Sequence, residues 1–488
     1  MWCKRVQTRS TVVLDVGKTL TKASLWSPTG VLLERRSRVN ARPDAGAYLT
    51  LDAAGIENWL ATTLRDFSRM QRIGHIIPVG HGAAAAFIRE GKLHAPPLDY
   101  EHPIPAAIHL EYDEHREPFL LTGSPALAAG LNLGAQLHFL ERTQPQIWRG
   151  EPTVLPWPQY WSWRLSGRAV SEVTSLGCHT DLWYPVAVGY SRNALNRGWA
   201  ARFAPFARAD AVVGPISAEW TERCGLPVDV NVLCGLHDSN AALLTARAAA
   251  SLARGPSGRG GSDMTVLSTG TWFVALRTPG KMPFTGLANL PPDRDCLVNV
   301  DLNGDPVPSA RFMGGREIEI LMGGAEGQPV EITDDEGQAA AAAVIANGAM
   351  VLPTFAAGAG PYGPCNGRWL SMPTDPLQRW AAVCLYAALL ADTALDLIGS
   401  KDCLIIEGRF SACTLFVAAL AALRPGMAVY AAPSSIDVSL GALTLLRTAL
   451  PPGSTLTAVR PLKVGLNDYR ERWRQECLLQ VQSARNDM

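Results

Sequence analysis

The hydrophobic and polar positions of the chain repeat one pattern in its two halves. An apolar run that starts at residue 11 ends at Gly17-Lys18-Thr19, and a second run ends at Thr269-Gly270-Thr271. A β-rich stretch resumes after each glycine, so each pattern predicts two strands joined by a glycine turn. Such a turn directs backbone N–H groups and a hydroxyl at one point, which suits an anionic oxygen. The sequence therefore predicts two anion-binding turns, one in each half.

Other segments of the chain also have hydrophobic patterns that predict helices and strands. They predict a helix over residues 54–70, strands over 73–79, 228–233 and 403–406, and a helix that opens at Asp375-Pro376. Residues 253–262 are rich in glycine and serine and cannot support a core element, so they predict a linker. We expect an N-terminal domain over residues 1–245, a linker over 246–263 and a C-terminal domain over 264–488.

Composition narrows the class of protein. The chain has 488 residues, too many for one core, and its 44 basic and 44 acidic residues give no net charge. That balance favours neither a nucleic-acid partner nor a membrane anchor. The ten cysteines show no zinc-like or disulfide-like spacing. The apolar stretch 380–398 carries Asp392 and Asp396, which indicates a buried helix, and the N-terminus lacks a signal-peptide pattern. We expect a cytoplasmic protein.

Two aspartates are candidates for chemistry. Asp15 lies two residues before Gly17, where a carboxylate can hold Mg²⁺ or its bound water, or can simply cap the turn. Asp238 follows a predicted strand and His237, where it can act as a general base for a hydroxyl, as a helix N-cap, or as both. Lys18 is either a cation that neutralises phosphate or a solvated loop lysine.

Two weaker signals remain. Residues 358–363 match G-x-G-x-x-G in letters, but a proline and the absence of a following helix favour a glycine-rich loop beside a ligand, with Gly360 in it. The aromatic cluster between Trp157 and Trp163 can stack on a sugar face, although such clusters are more often core packing.

Together these segments resemble the FGGY carbohydrate kinases over nearly the whole chain. Residues 14–19 and 267–272 are similar to the two phosphate motifs, residues 158–167 resemble the P-D-Y-x-x-Y-R-L-T-G helix, and residues 405–408 with 437–441 resemble the adenosine motif. The resemblance implies an α/β, two-domain ribonuclease-H-like (actin-like ATPase) fold with a ligand cleft between the domains. Lys18, Gln159 and Glu407 depart from the family pattern.

The segment around Asp238 resembles one branch of the family. Residues 235–239 are similar to the G-x-H-D-T segment of L-rhamnulose and L-fuculose kinases, where the aspartate is the catalytic base and its neighbours touch the sugar. His81-Gly82 lies where those kinases have a W-G pair near the substrate. By resemblance we assign Asp238 as base and the following residues to the sugar: His81, Gly82, His237, Ser239 and Trp163.

The resemblance also assigns the nucleotide side. The residues assigned to ATP and its phosphates are Asp15, Gly17, Lys18, Thr19, Thr269, Gly270, Thr271, Gly360 and Gly408. The implied enzyme is an ATP- and Mg²⁺-dependent kinase of a small ketose or 6-deoxyketose, and we expect a monomer or homodimer. Alternatives are a kinase of another ketose, a polyol or a sugar acid, and a non-catalytic module that senses ATP and sugar.

Overall fold

The protein divides into two compact units. The computed structural model describes residues 9–254, 263–280, 286–323, 333–356, 358–433, 437–446, 450–451 and 454–486. By contacts between residues, the first unit comprises Met1–Ala248, Val298–Pro306 and Asp437–Pro452, and the second comprises Ala249–Leu297, Val307–Ile436 and Gly453–Met488. Two segments from the predicted C-terminal domain therefore belong by contact to the first unit.

The first unit is built on a seven-stranded mixed sheet. Ser10–Val16 and Ile73–Gly80 are parallel neighbours, and Leu20–Trp26 lies antiparallel to Ser10–Val16. Val12, Val13, Leu14 and Val16 are all fully buried, which explains why the first run is continuously apolar: a strand with a parallel neighbour is buried on both faces. The strand order is Val212–Pro215, Asn231–Leu233, Ile73–Gly80, Ser10–Val16, Leu20–Trp26 and Leu32–Val39, with Leu236–His237 also paired to Ile73–Gly80.

Helices cover this sheet and its extensions. The helix Ala53–Met70 starts at the N-cap Asp52, whose carboxylate accepts a hydrogen bond from Gly55 N. Smaller sheets join Ala85–Arg89, Lys92–Ala95 and Thr153–Pro156, and also Trp183–Tyr184 and Gly189–Tyr190. The other helices that begin in this unit are Ala106–Asp113, Phe119–Thr122, Leu133–Thr143, Trp157–Ser166, Val173–Leu176, Arg192–Asn196, Ala218–Cys224, Asp238–Arg254 and Val438–Leu443.

The second large sheet repeats the strand–turn–strand pattern. Met264–Thr269 pairs antiparallel with Phe273–Thr278 and parallel with Cys403–Gly408. Its strand order is Cys296–Val300, Pro306–Phe312, Phe273–Thr278, Met264–Thr269, Cys403–Gly408, Ala428–Ala431 and Thr457–Ala458, and Met350–Leu352 pairs separately with Arg368–Leu370. The helices of the second unit are Gly314–Leu321, Asp334–Ala346, Pro376–Leu397, Thr414–Leu423 and Asn467–Asn486.

The longest of these helices is a core element. Asp375 caps Pro376–Leu397 through a hydrogen bond from Gln378 N, as the Asp-Pro pair predicted. Among the described residues this is the one helix long and apolar enough to cross a membrane, and 89% of its most apolar window is buried inside the protein. Burial of this extent is typical of a core helix in a globular unit.

Two sequence expectations differ from the structure. The helix Asp238–Arg254 continues through residues 246–254, where we expected the linker to begin, and residues 255–262 lie outside the described residues. The strand expected over 228–233 is formed only by Asn231–Leu233. The alanine-rich composition after Asp238 explains the first difference, because alanine is the strongest helix former and carries the helix up to the glycines.

Candidate active site

The candidate site of the first unit lies where three strands end. Val16 and His237 are both in register with Gly80, and all three strands run parallel. Because parallel strands end at one edge of a sheet, the residues that follow them leave the sheet side by side. Asp15 and the first turn (residues 17–19), His81-Gly82, and Asp238 therefore belong to one edge.

Asp15 is a shielded carboxylate next to one cation. Its side chain is 13% exposed, and Lys22 Nζ on the neighbouring strand lies 3.7 Å from its Oδ2. Burial raises the pKa of Asp15 to about 7, Lys22 lowers it, and the charges of Asp238 and Asp437 raise it further. Burial is the main cause of the rise, and the carboxylates of Asp15, Asp238 and Asp437 interact here beside the single cation Lys22, a grouping that fits a divalent cation. Within the described residues no three acidic, histidine or cysteine side chains group as ligands. A Mg²⁺ ion here would therefore take most of its ligands from water and phosphate.

The first turn is held by one amide side chain. Asn40 Nδ2 donates to the carbonyl oxygens of Gly17 and Lys18, at 2.8 and 3.0 Å. Asn40 N donates to Thr19 O at 2.8 Å. Because Asn40 binds all three carbonyl oxygens of the turn, the N–H groups of the turn and the hydroxyl of the exposed Thr19 are the polar groups that remain to meet an anion. Gly17 must stay small, because a methyl group there would lie 2.8 Å from Leu20 O.

The side chain of Lys18 is held by ion pairs within the first unit. Its Nζ lies 3.2 Å from Asp99 Oδ1 and forms a second ion pair with Glu101, and the side chain is 10% exposed. It also lies over the ring of Tyr100, 4.6 Å from the centroid. Lys18 is therefore neither a solvated loop lysine nor a free cation for phosphate, because two carboxylates already balance its charge.

Asp238 is the first residue of a helix and also a candidate reactive carboxylate. It opens the helix Asp238–Arg254, and its Oδ1 accepts hydrogen bonds from Ser239 N at 2.6 Å and from Ser239 Oγ at 3.3 Å. Burial raises the pKa of Asp238 above its usual value, while the charges of His81 and Lys22 and the Ser239 hydrogen bonds oppose the rise. A carboxylate whose pKa moves towards neutrality is better matched to general-base work.

His237 adds a neutral ring beside this carboxylate. Burial lowers the pKa of His237 to about 4, so the imidazole is uncharged at neutral pH. Its Nε2 lies 3.3 Å from Asp238 Oδ1. Among the described residues, its buried Nδ1 has no hydrogen-bond partner. A buried polar atom without a partner is costly, and a ligand hydroxyl would satisfy it.

His81 and Gly82 lie against the same histidine. A methyl group on Gly82 would lie 2.6 Å from Cys178 Sγ and 3.0 Å from His237 Nε2, so only glycine fits there. The ring of His81 bonds Gly82 O through Nδ1 at 2.7 Å. Its buried Nε2 has no partner within the described part of the chain. The sequence-predicted pair therefore does come together with His237.

Glu172 and Thr174 form a buried hydrogen-bonded pair behind the site, and the sequence did not predict this pair. Glu172 Oε2 accepts hydrogen bonds from Thr174 N at 3.0 Å, Thr174 Oγ1 at 2.5 Å and Ser175 N at 3.3 Å. Thr174 Oγ1 in turn accepts a hydrogen bond from His237 N at 3.1 Å. Glu172 thus fixes the backbone that presents His237 and Asp238. The available signal was a carboxylate one residue before a short helix, which is a capping pattern.

Trp163 does not join this group. It packs in the hydrophobic core of the first unit, 5.6 Å from the ring of Tyr160, and is 8% exposed. The aromatic residue of this helix that meets the site is Trp157, whose ring lies 6.5 Å from that of His81. Trp163 thus lies in core packing in this structure, and its stacking on a sugar stays a prediction.

Gln159, a departure from the family pattern, has a supporting position. Its Nε2 donates to the carbonyl oxygens of Cys234 and Gly235, each at 3.3 Å. Those two residues lead directly into Leu236–His237, so the glutamine braces the segment that carries Asp238. An aspartate at this position has no donor for these carbonyl oxygens.

The second turn (residues 269–271) lies in the second unit, and its three residues differ in burial and hydrogen bonding. Thr269 is 1% exposed, and its hydroxyl donates to Glu407 O at 2.5 Å and accepts from Phe410 N at 3.0 Å. The hydroxyl of Thr269 therefore both donates and accepts a hydrogen bond within the protein, and the contact of Thr269 with phosphate stays a prediction. Gly270 is half-buried and its N–H donates to Trp272 O at 3.0 Å, whereas Thr271 is exposed and is the residue of this turn that is most open to a ligand.

Gly408 and Gly360 are positions that require glycine. Gly408 has φ of 86°, and a methyl group on it would overlap the carbonyl oxygen of Thr269. Gly360 has φ of 88°, and its N–H donates to Asp295 Oδ2 at 2.8 Å. Asp295 also pairs with Arg311, whose guanidinium lies over the ring of Trp272, next to the second turn. One network therefore ties the glycine-rich loop to the second turn.

The chain shares sequence and fold with known carbohydrate kinases. Residues 261–453 match the family model for the carbohydrate kinase FGGY C-terminal domain. The chain is 47% identical to a carbohydrate kinase from Novosphingobium aromaticivorans, over 97% of this chain and 99% of that one, with a TM-score of 0.87. No curated protein sequence matched the chain.

Two more distant structures share the fold. A xylulose kinase from Rhodospirillum rubrum is 18% identical over 98% of this chain and 99% of that chain, with a TM-score of 0.76. The Plasmodium falciparum glycerol kinase with ADP is 12% identical over 97% of this chain and 98% of that chain, also with a TM-score of 0.76.

Proposed function

This chain belongs to the FGGY carbohydrate kinases, and we propose that it transfers the γ-phosphoryl group of ATP to a hydroxyl of a ketose or 6-deoxyketose such as L-rhamnulose or L-fuculose. The observation that carries the proposal is the Asp238 carboxylate, whose pKa is raised by burial and which lies beside His237 at the start of a helix. The Gly-Leu-His-Asp-Ser order of residues 235–239 supports the deoxyketose class.

In the proposed reaction Asp238 is the general base. The contacts from Ser239 and His237 all engage Oδ1, so we assign Oδ2 to the proton of the acceptor hydroxyl. As the proton moves to Oδ2, the hydroxyl oxygen bonds the γ-phosphorus and the bond to the ADP oxygen breaks. Because the transition state is loose in most analyses, positioning and charge stabilisation supply most of the catalysis.

We assign the remaining site residues from the polar groups that have no partner among the described residues. His81 Nε2 and His237 Nδ1 are buried and lack partners among the described residues, so we assign them to sugar hydroxyls, with Gly82 leaving the space for the sugar. We assign the N–H groups of the first turn and the exposed Thr271 of the second turn to the phosphates of ATP, with Gly270 giving the second turn its small size next to them. Asp15 is proposed to hold Mg²⁺, directly or through water, and the bound ion would neutralise phosphate charge.

The direct test is ADP formation by the purified protein with a panel of acceptors. The panel contains L-rhamnulose, L-fuculose, xylulose, ribulose, erythritol, glycerol and gluconate, and NMR locates the phosphate on any product. We expect the highest kcat/KM with a 6-deoxyketose. Highest turnover with xylulose, gluconate or a polyol would assign the chain to another branch of the family and remove the deoxyketose proposal.

The variant Asp238→Asn tests the assignment of the base. It should lower kcat by about 10² or more while the dissociation constant of the sugar changes little, because a general base acts mainly in the transition state. The matched control is Asp375→Asn, since Asp375 is an exposed N-cap for which asparagine is an equally good cap. Near-normal turnover of Asp238→Asn would contradict the assignment.

A further inference from the structure

The surroundings of Lys18 suggest a role on the acceptor side of the site. Its ammonium is enclosed by Asp99, Glu101 and the face of the Tyr100 ring. Three consecutive residues of one loop thus meet a single cation that extends from the first turn. Asp99 is 1% exposed, and a buried carboxylate is stable in its charged form only when it is paired and hydrogen-bonded.

The loop that meets Lys18 is held at a defined place. Asp99 N donates to Leu49 O at 2.9 Å, and Asp99 Oδ1 accepts from Glu101 N at 2.9 Å. Arg42 lies 3.2 Å from Asp99 and 3.1 Å from Glu101, but its side chain is 53% exposed. Lys18, at 10% exposed, is therefore the better shielded of the two cations, and screening by solvent weakens its ion pairs least.

The ring of Tyr100 contacts His81 as well as Lys18. The two rings meet edge to face, with centroids 5.4 Å apart and planes at 83°. His81 is in turn bonded to Gly82 O, and its Nε2 is the atom assigned above to the sugar. A continuous series of contacts therefore runs from the first turn through Lys18 and Tyr100 to the acceptor site.

We propose that Lys18 is a positioning residue for sugar recognition: it holds Tyr100 against His81 and so sets the place of His81 Nε2. The inference rests on the proposed function, because it uses the assignment of His81 to the acceptor. The ammonium of Lys18 extends from the first turn, so a shift of residues 17–19 also displaces Tyr100. The first turn is thereby coupled to the acceptor site. A phosphate contact of Lys18 would instead have to break two ion pairs.

The test separates sugar recognition from nucleotide recognition. Lys18→Met should raise KM and the calorimetric dissociation constant for L-rhamnulose about tenfold, within the range that a misplacement of about 1 Å costs, with KM for ATP within about twofold. Tyr100→Leu, which removes the ring and leaves Lys18 in place, should give the same kinetic signature. Lys92→Met is the matched control, because Lys92 is an exposed lysine on the strand Lys92–Ala95.

Each alternative has its own outcome. A rise in KM for ATP and in the dissociation constant of ADP, with unchanged sugar binding in Lys18→Met, would identify a phosphate ligand and overturn the inference. If Lys18→Met does not fold, Tyr100→Leu decides, and wild-type sugar binding in that variant also overturns it. A wild-type protein that forms no ADP with any acceptor would overturn the proposed function instead, and the panel acceptor with the highest kcat/KM replaces L-rhamnulose if it differs.

Discussion

At the scale of single residues, Glu172 shows how a carboxylate outside the reaction can affect the whole protein. It is 1% exposed, and burial raises its pKa from 4.5 to about 7, although hydrogen bonds from Thr174 and Ser175 oppose the rise. The unfolded chain releases this proton near the ordinary value, so folding binds a proton between about pH 4.5 and pH 7. Stability contributed by this group is present in full at lower pH and is lost as pH rises through that window.

The variant Glu172→Gln should remove this pH dependence. The free energy of unfolding of the wild type should fall between about pH 4.5 and about pH 7 by up to about 3 kcal/mol more than that of the variant. Denaturant unfolding at both pH values measures the difference, and the glutamine Oε1 can still accept from Thr174 and Ser175. Parallel pH profiles for the two proteins would show that Glu172 does not titrate as described.

The same scale shows what the sequence could and could not predict. Asp15 and Asp238 could be proposed from the sequence because their positions follow from neighbours in the chain: a strand that ends, a glycine turn, a helix that begins. The ion pairs of the Lys18 side chain could not be predicted, because its partners, Asp99 and Glu101, lie far along the chain. The hydroxyl of Thr269 is likewise occupied by the carbonyl of Glu407, a partner that only strand pairing brings near.

At the scale of elements, two helices determine where Asp238 lies. The helix Val438–Leu443 crosses Asp238–Arg254 at Gly441, where a methyl group would overlap the carbonyl oxygen of Ala241. Thr245 Oγ1 also donates to Asp437 O at 3.1 Å, just before the crossing helix begins. The first turn of the longer helix therefore rests directly on backbone, without a side chain between. This contact was not predictable from periodicity, because Gly441 looks like an ordinary small residue of a short helix.

Gly441→Ala should disturb this crossing. We expect the free energy of unfolding to fall by about 2 kcal/mol or more, in the upper range for overpacking, and kcat to fall because Asp238 moves with its helix. Gly465→Ala is the control, since a methyl group on Gly465 has no atom within 4 Å. Thermal unfolding and ADP formation, measured on both variants, test this. Equal stability of the two would mean that the crossing adjusts without strain.

At the scale of the whole molecule, the first unit is discontinuous in sequence. Val298–Pro306 and Asp437–Pro452 belong to it together with Met1–Ala248. Arg35 pairs with Asp437 at 2.5 Å, and Arg247 pairs with Asp301 at 3.0 Å. Both returning segments are therefore tied to the N-terminal part by ion pairs as well as by packing. The sequence pattern predicts several of the strands and helices but carries no information on which unit a late segment joins.

This arrangement predicts that residues 1–248 do not form a stable domain alone. A fragment of that length should lack a cooperative thermal transition, because the helix that packs through Gly441 on the backbone of Ala241 is missing, and so is Asp437, the partner of Arg35. Fusing residues 437–452 to its C-terminus through a flexible linker should restore part of the transition. A cooperative transition in the unfused fragment, with sugar binding, would contradict the prediction.

The late return of Val438–Leu443 also has a consequence for protein synthesis. Domains generally fold as units while the ribosome is still making the chain. Here the N-terminal unit lacks one of its own helices until residues 437–452 have emerged, long after residues 1–248 have been translated. The helix that carries Asp238 gains its final support only then. A translation product that stops before residue 437 is therefore expected to be inactive.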